Sequence, residues 1–330
     1  QISMVDLVIT KTPLRVSFLG GGTDFEYFYK KYEGSVVSAA INKYVYVTVK
    51  RHAPHFGEKF RLNYSESETT QNLGKIKNNI IRECIKIAKI NYPIYISTVA
   101  DIPAGSGLGG SSSFTVGLLK ALYALEGKKI TNKKLFALAC KIEIDILKEP
   151  IGKQDQLAAI YGGINYIKFK RNNKILVKKI KTKKKIFNNM RLYWTGSSRN
   201  ASLVLRDQKK NLIKNIENLK NIKKIADNFY NHAKRKGVID VKKLGKLIYE
   251  SWLQKIKLSK KIQNIKANKV IKSSMNANFY GAKLLGAGGS GFVLLVSNSL
   301  NLKLFQKKFK NIKLENVQLS EKGSTIICSE

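Results

Sequence analysis

Acidic residues, cysteine and histidine are all scarce in this sequence. The chain of 330 residues has 22 Asp and Glu against 61 Lys and Arg, with three cysteines and three histidines. The cysteines lie far apart and form no Cys-x-x-Cys pair, so the sequence predicts neither a disulfide framework nor a zinc site. His52 and His55 have no cysteine and no carboxylate triplet beside them, which favours a solvated loop over a metal site.

Long apolar runs are missing as well. No stretch approaches the roughly 18 consecutive apolar residues that cross a bilayer, and the first residues lack the charged-then-apolar order of a signal peptide. We therefore expect a cytoplasmic protein with no membrane partner. Because 43% of the residues are apolar and 25% are charged, a folded chain is expected, and its length of 330 residues predicts one large or two medium domains.

The formal net charge of +39 is unusually high. An excess of this size attracts polyanions, so a basic nucleic-acid-binding protein is one interpretation. The basic residues are spread over most of the chain, however, and the sequence contains no basic module with interleaved aromatic residues. We expect no specific nucleic-acid partner, and both a monomer and a homodimer remain open.

Apolar periodicity predicts strands and helices in a mixed order. The predicted strands are 7–18, 34–50, 94–99, 164–169, 174–180, 191–195, 292–296, 314–319 and 325–328. The predicted helices are 76–90, 113–125, 132–148 and 302–309, with several amphipathic helices over 202–274 that are broken near Gly237. The change in composition between Thr195 and Ser202 predicts a domain boundary.

The segment Pro103 to Ser113, with the sequence PAGSGLGGSSS, lies between a predicted strand and a predicted helix. Glycines let backbone amides face an anion, the helix adds the positive end of its dipole, and small hydroxyls can reach a metal ion. No lysine follows the glycines, so this is not a Walker loop. The pattern predicts a phosphate cradle made of Gly105, Ser106, Gly107, Leu108, Gly109, Gly110, Ser111 and Ser112.

Two other segments are rich in glycine. Thr12 to Asp24 ends a predicted strand in three glycines followed by Thr23 and Asp24. A carboxylate at such a strand end is well placed to accept hydrogen bonds from a polyol, although a helix N-cap would explain the same residues. The segment Gly281 to Gly291 leads into an apolar strand, and by itself it is typical of a tight turn.

Taken together and in this order, the three segments resemble the GHMP kinase superfamily, which includes galactokinase, homoserine kinase and mevalonate kinase. The central motif of that family, Pro-x-Gly-x-Gly-Leu-Gly followed by small residues, corresponds to Pro103 through Ser113. Its opening Arg-Val motif corresponds to Arg15 and Val16, and its terminal glycine motif to 286–291. The resemblance implies an α+β fold, with a ribosomal-protein-S5-like N-terminal domain over 4–196, a ferredoxin-like C-terminal domain over 197–330 and the active site between them.

An acid pair completes the resemblance. The family has a metal-binding Glu on a helix and, a dozen residues later, an Asp in a Gly-x-x-Asp-Gln segment; this chain has Glu143 and then Asp155 within 152–156. By resemblance, Ser111 and Glu143 would hold Mg²⁺ beside the phosphates of ATP, and Asp155 would orient or deprotonate the attacking hydroxyl. Arg15 would stabilise charge on the transferring group or on Asp155, with a purely structural ion pair as the alternative.

The Gly-Gly-Gly-Thr-Asp form of the opening segment differs from galactokinase. It looks like the D-glycero-D-manno-heptose 7-phosphate kinases, with a related opening in fucose-type kinases. The resemblance therefore implies ATP-dependent phosphorylation of the anomeric O1 of a heptose 7-phosphate to the 1,7-bisphosphate, in the synthesis of nucleotide-activated heptose for surface polysaccharide. The implied substrate-binding residues are Gly22, Thr23, Asp24, Asp155, Arg199, Gly288 and Gly289.

The substrate's own phosphate requires a cationic contact, for which Arg199 and Arg191 are the candidates. Since the chain has 61 basic residues, a basic side chain near any site is unremarkable by itself. Two other functions remain open at this point. One is a kinase of the same family acting on an unphosphorylated sugar such as fucose, galactose or a hexosamine. The other is a non-catalytic basic protein that binds nucleic acid or serves as a scaffold.

Overall fold

The computed structural model describes residues 5–53, 55–182, 184–198 and 201–330. Helices and strands follow one another irregularly along these ranges, and the strands form two sheets. The elements up to residue 169 are β1 (Leu7–Leu19), α1 (Glu26–Tyr32), β2 (Gly34–Arg51), β3 (Phe60–Asn63), β4 (Ser67–Thr70), α2 (Asn79–Ala88), β5 (Ile94–Ala100), α3 (Gly110–Leu125), α4 (Asn132–Cys140), α5 (Gln154–Tyr161) and β6 (Ile164–Phe169).

The remaining elements contain most of the long helices. They are β7 (Ile175–Lys179), β8 (Met190–Trp194), α6 (Ala201–Lys210), α7 (Leu212–Lys236), α8 (Val241–Lys255), α9 (Ile265–Asn276), β9 (Gly281–Leu284), β10 (Phe292–Val296), α10 (Ser299–Lys308), β11 (Leu314–Asn316) and β12 (Thr325–Ser329). Short 3₁₀ turns occur at Leu73–Lys75, Lys184–Asn189 and Lys260–Ile262.

The larger sheet has the strand order β12-β1-β2-β5-β3-β4, and β6 and β7 extend it from β2. Strand β2 pairs with β1 along one edge and is long enough to have two partners along the other, where its first residues pair with β6 and its last residues with β5. Pairing is antiparallel throughout this sheet except between β3 and β5. The smaller sheet has the antiparallel order β11-β8-β10-β9.

Helix α3 packs against β1 and β2, and apolar side chains on both sides of that contact are buried. It is apolar around most of its circumference, as expected of a helix enclosed by the core rather than lying on the surface. Helix α8 packs against β9 and buries one face that contains Leu244, Ile248, Trp252 and Lys255. Buried residues of these two helices extend to the place where the phosphate-cradle segment, 103–113, meets the terminal glycine segment, 281–291.

The strand and helix predictions are confirmed for the longer elements and for the short strands β7, β8, β10, β11 and β12, whereas α1, α5, β3, β4 and β9 were missed. Helices α1 and α5 have seven and eight residues, and β3 and β4 have four each, so too few positions repeat for a period to be read from the sequence. The predicted helix over 132–148 is confirmed as helical up to Ile146, but its second half is not an α-helix. There the chain forms a π-helical segment, Lys141–Ile146, in which Leu147 N donates to Ile142 O at 2.9 Å.

The predicted boundary between residues 196 and 197 stays a prediction. Both sheets take strands from both sides of it, because β8 lies in the smaller sheet and β12 pairs with β1 in the larger one. In the part of the chain that the structure describes, no helix is long and apolar enough to cross a membrane.

Candidate active site

A cavity of about 350 Å³ lies between β1, the phosphate-cradle segment and the terminal glycine segment. Its volume is in the range of small-molecule sites. Most of the residues predicted from the sequence line it: Arg15, Gly22, Asp24, Gly105, Ser106, Gly107, Gly109, Gly110, Ser111, Ser112, Glu143, Asp155 and Gly288. Residues distant in sequence therefore converge on one cavity.

The phosphate-cradle segment has a backbone suited to an anion. Gly105, Gly107 and Gly109 have φ angles of 71°, 82° and 78°, which side chains other than glycine rarely tolerate. Helix α3 begins at Gly110 without a side-chain cap on its first turn, so its leading amides have no competing side-chain acceptor at the N-cap. An uncapped helix start with its dipole directed at the cavity fits the phosphates of a nucleotide.

The terminal glycine segment packs directly on the cradle. A Cβ atom added to Gly286 would lie 2.5 Å from the Cα of Gly107, and one added to Gly107 would lie 2.9 Å from the carbonyl oxygen of Leu285. These distances are too short for any side chain, so both positions require glycine. The two glycine motifs, separated by most of the chain, thus form one wall of the cavity.

Arg15 and Asp155 form a bidentate ion pair in the cavity. Arg15 Nε donates to Asp155 Oδ1 and Nη2 donates to Oδ2, both at 2.7 Å, while Nη1 donates to the carbonyl oxygen of Gly107 at 2.6 Å. The Arg15 side chain is 6% exposed and that of Asp155 is 23% exposed. The guanidinium therefore fixes the carboxylate beside the cradle, with part of the carboxylate still open to the cavity.

Glu143 lies at the other end of the cradle. It is 1% exposed, its Oε1 accepts from Ser111 Oγ at 2.9 Å, and its Oε2 accepts from Gln156 Nε2 at 2.7 Å. Burial raises the pKa of Glu143 to about 7, against these hydrogen bonds, which lower it. The π-helical segment that contains Glu143 widens the helix at this residue, a feature common at functional sites.

The donor set around Glu143 fits Mg²⁺ bound together with a nucleotide. Mg²⁺ in nucleotide sites takes one or two protein oxygens and completes its shell with phosphate oxygens and water. Ser111 and Glu143 supply two oxygens at the start of α3. No group of three or more His, Cys, Asp and Glu residues arranged to hold a metal occurs among the described residues.

Asp24 is a second buried carboxylate of the cavity. It is 2% exposed and accepts from the backbone N–H groups of Gly22 at 3.1 Å and Gln154 at 3.2 Å. Burial and the nearby Asp155 raise the pKa of Asp24 to about 6. It does not cap α1, whose N-cap is Phe25 without a side-chain hydrogen bond, so the helix-cap interpretation of this residue is wrong.

Some predicted site residues do not reach the cavity. Thr23 is fully buried, and its hydroxyl donates to Gly20 and Ser35 carbonyl oxygens, so it stabilises the turn. Leu108 lies in the core, where its carbonyl oxygen accepts from Arg15 N at 2.9 Å. The N–H group of Gly289 donates to Ile262.

Arg199 and Arg191 are the two arginines proposed to bind the substrate's own phosphate, and only Arg191 lies among the described residues. Arg199 lies outside the described residues, so its role stays a prediction. Arg191 is in β8, does not line the cavity, and donates to the carbonyl oxygens of Asn188 and Met190. It therefore acts on its own strand, and we do not retain it as a phosphate ligand.

The sequence analysis missed several residues of the cavity, among them Lys255, Lys283 and Ser17. Lys255 and Lys283 line it while being 9% and 3% exposed, and the hydroxyl of Ser17 is buried there without a hydrogen-bond partner among the described residues. Helical spacing could have found Lys255, because it falls on the buried face of α8 that begins at Leu244. Lys283 lies in an entirely buried strand, which is also an unusual place for a lysine.

The chain is similar in sequence to known kinases. The family profile described as GHMP kinases N terminal domain matches residues 78–163. The chain is 30% identical over 302 residues to D-glycero-alpha-D-manno-heptose 7-phosphate kinase of Campylobacter jejuni subsp. jejuni serotype O:2, covering 86% of this chain and 87% of that one. It is 31% identical over 167 residues to a galactokinase of Pyrococcus furiosus, covering 47% and 44% of the two chains.

The fold is shared with solved structures. A D-glycero-D-manno-heptose 1-phosphate kinase from Bacteroides thetaiotaomicron superposes with a TM-score of 0.77 over 97% of this chain and 99% of that chain, at 24% identity. This likeness confirms the predicted α+β GHMP kinase fold. Because the relative from Campylobacter jejuni matches over most of both chains, this chain belongs to the GHMP kinases and is a phosphotransferase with an alcohol group as acceptor.

Proposed function

We propose that the protein transfers the γ-phosphoryl group of ATP to the anomeric O1 of D-glycero-D-manno-heptose 7-phosphate, giving the 1,7-bisphosphate, in the synthesis of nucleotide-activated heptose for surface polysaccharide. The observation that carries the reaction is the Asp155 carboxylate, which Arg15 holds beside an anion-binding backbone in a single cavity. The choice of sugar is supported by the name of the relative that matches over most of both chains.

Asp155 would orient the acceptor hydroxyl. Each of its oxygens accepts one hydrogen bond from Arg15, and each retains a lone pair for the O1 proton. As the bond between O1 and the γ-phosphorus forms, the bond from that phosphorus to the β,γ-bridging oxygen breaks. ADP is the leaving group, and the proton of O1 passes to Asp155. Such a reaction asks mainly for positioning and charge stabilisation.

The cradle would hold the nucleotide and Ser111 with Glu143 would hold Mg²⁺. The amides of the cradle and the open start of α3 bind phosphate oxygens. When bound, Mg²⁺ neutralises charge on the terminal phosphates. Asp24 would accept hydrogen bonds from sugar hydroxyls, and the unpartnered Ser17 hydroxyl is available to the same hydroxyls.

Two glycines and Arg199 complete the proposed substrate contacts. Gly22 and Gly288 line the cavity and bring backbone close to the sugar. Arg199, outside the described residues, stays our candidate for the 7-phosphate. We leave Thr23 and Gly289 out of the proposed substrate contacts, because Thr23 is fully buried and neither residue lines the cavity.

A sugar-dependent ATP consumption assay tests the proposal. The acceptors would be D-glycero-D-manno-heptose 7-phosphate, the same heptose without phosphate, galactose and fucose. We expect kcat/KM to be at least about 10²-fold higher for the phosphorylated heptose, since its phosphate supplies binding energy that helps to align O1. Phosphorus NMR should identify a new anomeric phosphate. A preference for any unphosphorylated sugar would overturn the heptose phosphate assignment.

Gly152→Ala should damage sugar binding selectively. A Cβ atom at this position would lie 1.9 Å from Asp24 Oδ2, so the carboxylate must move away from the sugar site. We expect kcat/KM for the sugar to fall by about 10- to 100-fold, the range caused by displacements of about 1 Å in an active site. Nucleotide binding, measured by calorimetry, should change little. Gly57→Ala is the matched control, because its Cβ would meet nothing within 4 Å; equal kinetics for the two variants would remove Asp24 from the sugar site.

A further inference from the structure

Lys255 and Lys283 are two buried lysines in the wall of the cavity. Neither belongs to the glycine motifs or the acid pair. Within the described residues, neither lysine forms an ion pair with a carboxylate. An ammonium ion taken out of water without a counter-charge is costly, so each requires an explanation.

The burial of Lys283 is explained by its hydrogen bonds. Its Nζ donates to the carbonyl oxygens of Ser17 at 2.9 Å and Phe18 at 3.1 Å, and so joins β9 of the smaller sheet to the end of β1 in the larger one. Burial, with Lys255 and Arg15 nearby, holds the pKa of Lys283 well below its usual value. A lysine that donates to two carbonyls between the sheets needs no ligand.

Lys255 is not explained in this way. Its Nζ donates to the carbonyl oxygen of Gly286, which is its one hydrogen-bond partner among the described residues. An ammonium group has three donors, so two are left for something else in the cavity. The side chain is nine-tenths buried, which makes an unused charge here expensive to keep.

The position of Lys255 is fixed by a chain of contacts. Gly286, which accepts from Lys255, packs on Gly107 of the cradle, and the carbonyl oxygen of Gly107 accepts from Arg15. Arg15 in turn holds Asp155. The ammonium and the guanidinium are therefore both positioned by the contact between Gly107 and Gly286, and Asp155, the proposed acceptor of the hydroxyl proton, lies close enough to act on the charge of Lys255.

Arg15 has few N–H groups left to contact the transferred phosphoryl group. Three of its five N–H groups are taken by Asp155 and by Gly107. We propose that the Lys255 ammonium contacts the phosphoryl group during its transfer and stabilises the negative charge on its oxygens. The phosphoryl oxygens supply the counter-charge that the protein does not, and a preorganised cation in a water-poor site is worth most at that point.

A pH dependence follows from the groups that face Lys255. These are Arg15 on β1, Asp24 after β1, Asp155 on α5 and Lys283 on β9. Burial and then Arg15 lower the pKa of Lys255 to about 8, while Asp24 and Asp155 raise it. The free enzyme thus loses this proton above about pH 8, so kcat/KM should fall there. Bound phosphates favour the charged form, so the decline in kcat should occur at higher pH.

The test compares Lys255→Met and Lys255→Arg with Lys246→Met, which removes a lysine from the exposed face of the same helix. Any acceptor that the wild type phosphorylates can be used, so the test does not depend on the identity of the sugar. We expect Lys255→Met to lower kcat by about 10²- to 10³-fold, as when one oxyanion donor is removed. The alkaline decline in kcat/KM should disappear in this variant and move to higher pH in Lys255→Arg. Lys246→Met should match the wild type.

Several results would overturn the proposal. A normal kcat in Lys255→Met, with only KM for a phosphorylated sugar raised, would assign Lys255 to the substrate's own phosphate instead. If Lys255→Met does not fold, as judged by its melting temperature and nucleotide binding, the pH profile of Lys255→Arg still tests the proposal. An alkaline decline that stays near pH 8 in Lys255→Arg would show that another group titrates there and that Lys255 does not contact the phosphoryl group.

Discussion

Asp155→Asn should reduce turnover by about 10²-fold or more while nucleotide binding stays nearly intact. The carboxylate is the proposed acceptor for the proton of the attacking hydroxyl, and general-base help of this kind contributes about 10²- to 10⁴-fold. The amide is nearly the same size, but it cannot accept that proton. Steady-state kinetics with saturating ATP and acceptor give the change in kcat, and calorimetry with a non-hydrolysable nucleotide gives the change in binding.

The ion pair with Arg15 requires a stability control for this experiment. Removing one partner of a buried pair costs about 3–5 kcal/mol, and the amide, which retains one acceptor oxygen for the guanidinium, should cost less. Melting temperatures must therefore be compared before rates are interpreted. Asp145→Asn removes an exposed carboxylate ten positions earlier and should behave as the wild type. Near-normal turnover in Asp155→Asn would mean that positioning alone drives the reaction.

The sequence predicted the long elements of the fold because their periods are visible over many residues. Helix α2 and strands β1 and β2 follow the apolar pattern to within a few residues. The π-helical turn at Glu143 could not be predicted, because the sequence around it continues the period of an ordinary α-helix. It forms where both Ile142 and Glu143 are buried, which is a tertiary requirement and not a local one.

The sequence predicted those residues of the site that belong to motifs. Asp155 and Glu143 were predicted as site residues because acids are rare in this chain and these two fall at family positions, and both line the cavity. The pairing of Arg15 with both Asp155 and Gly107 depends on where β1 meets the cradle, and no local pattern encodes that contact. Composition did not reveal Lys255, since it is one of 61 basic residues, and only its place on the buried face of α8 distinguishes it.

The last prediction concerns the metal. Glu143→Gln and Ser111→Ala should each weaken Mg²⁺-dependent nucleotide binding by about 10- to 100-fold, since even indirect partners of metal ligands have effects of this size. The two variants should differ in melting temperature when Mg²⁺ is absent. Glu143 has a folded-state pKa raised from 4.5 to about 7, so its ionised form opposes folding at pH 8. Glu143→Gln should therefore melt no lower than the wild type without Mg²⁺.

Thermal melting with and without Mg²⁺ and a non-hydrolysable nucleotide separates these effects without relying on turnover. The wild type should gain melting temperature when both ligands are present, because ligands that bind only the folded state stabilise it. Glu143→Gln should lose most of that gain from an unchanged or higher starting point. Asp145→Asn, two residues further on the same segment and exposed, should retain it. An Mg²⁺ titration that is unchanged in both Glu143→Gln and Ser111→Ala would place the metal on other residues of the cavity.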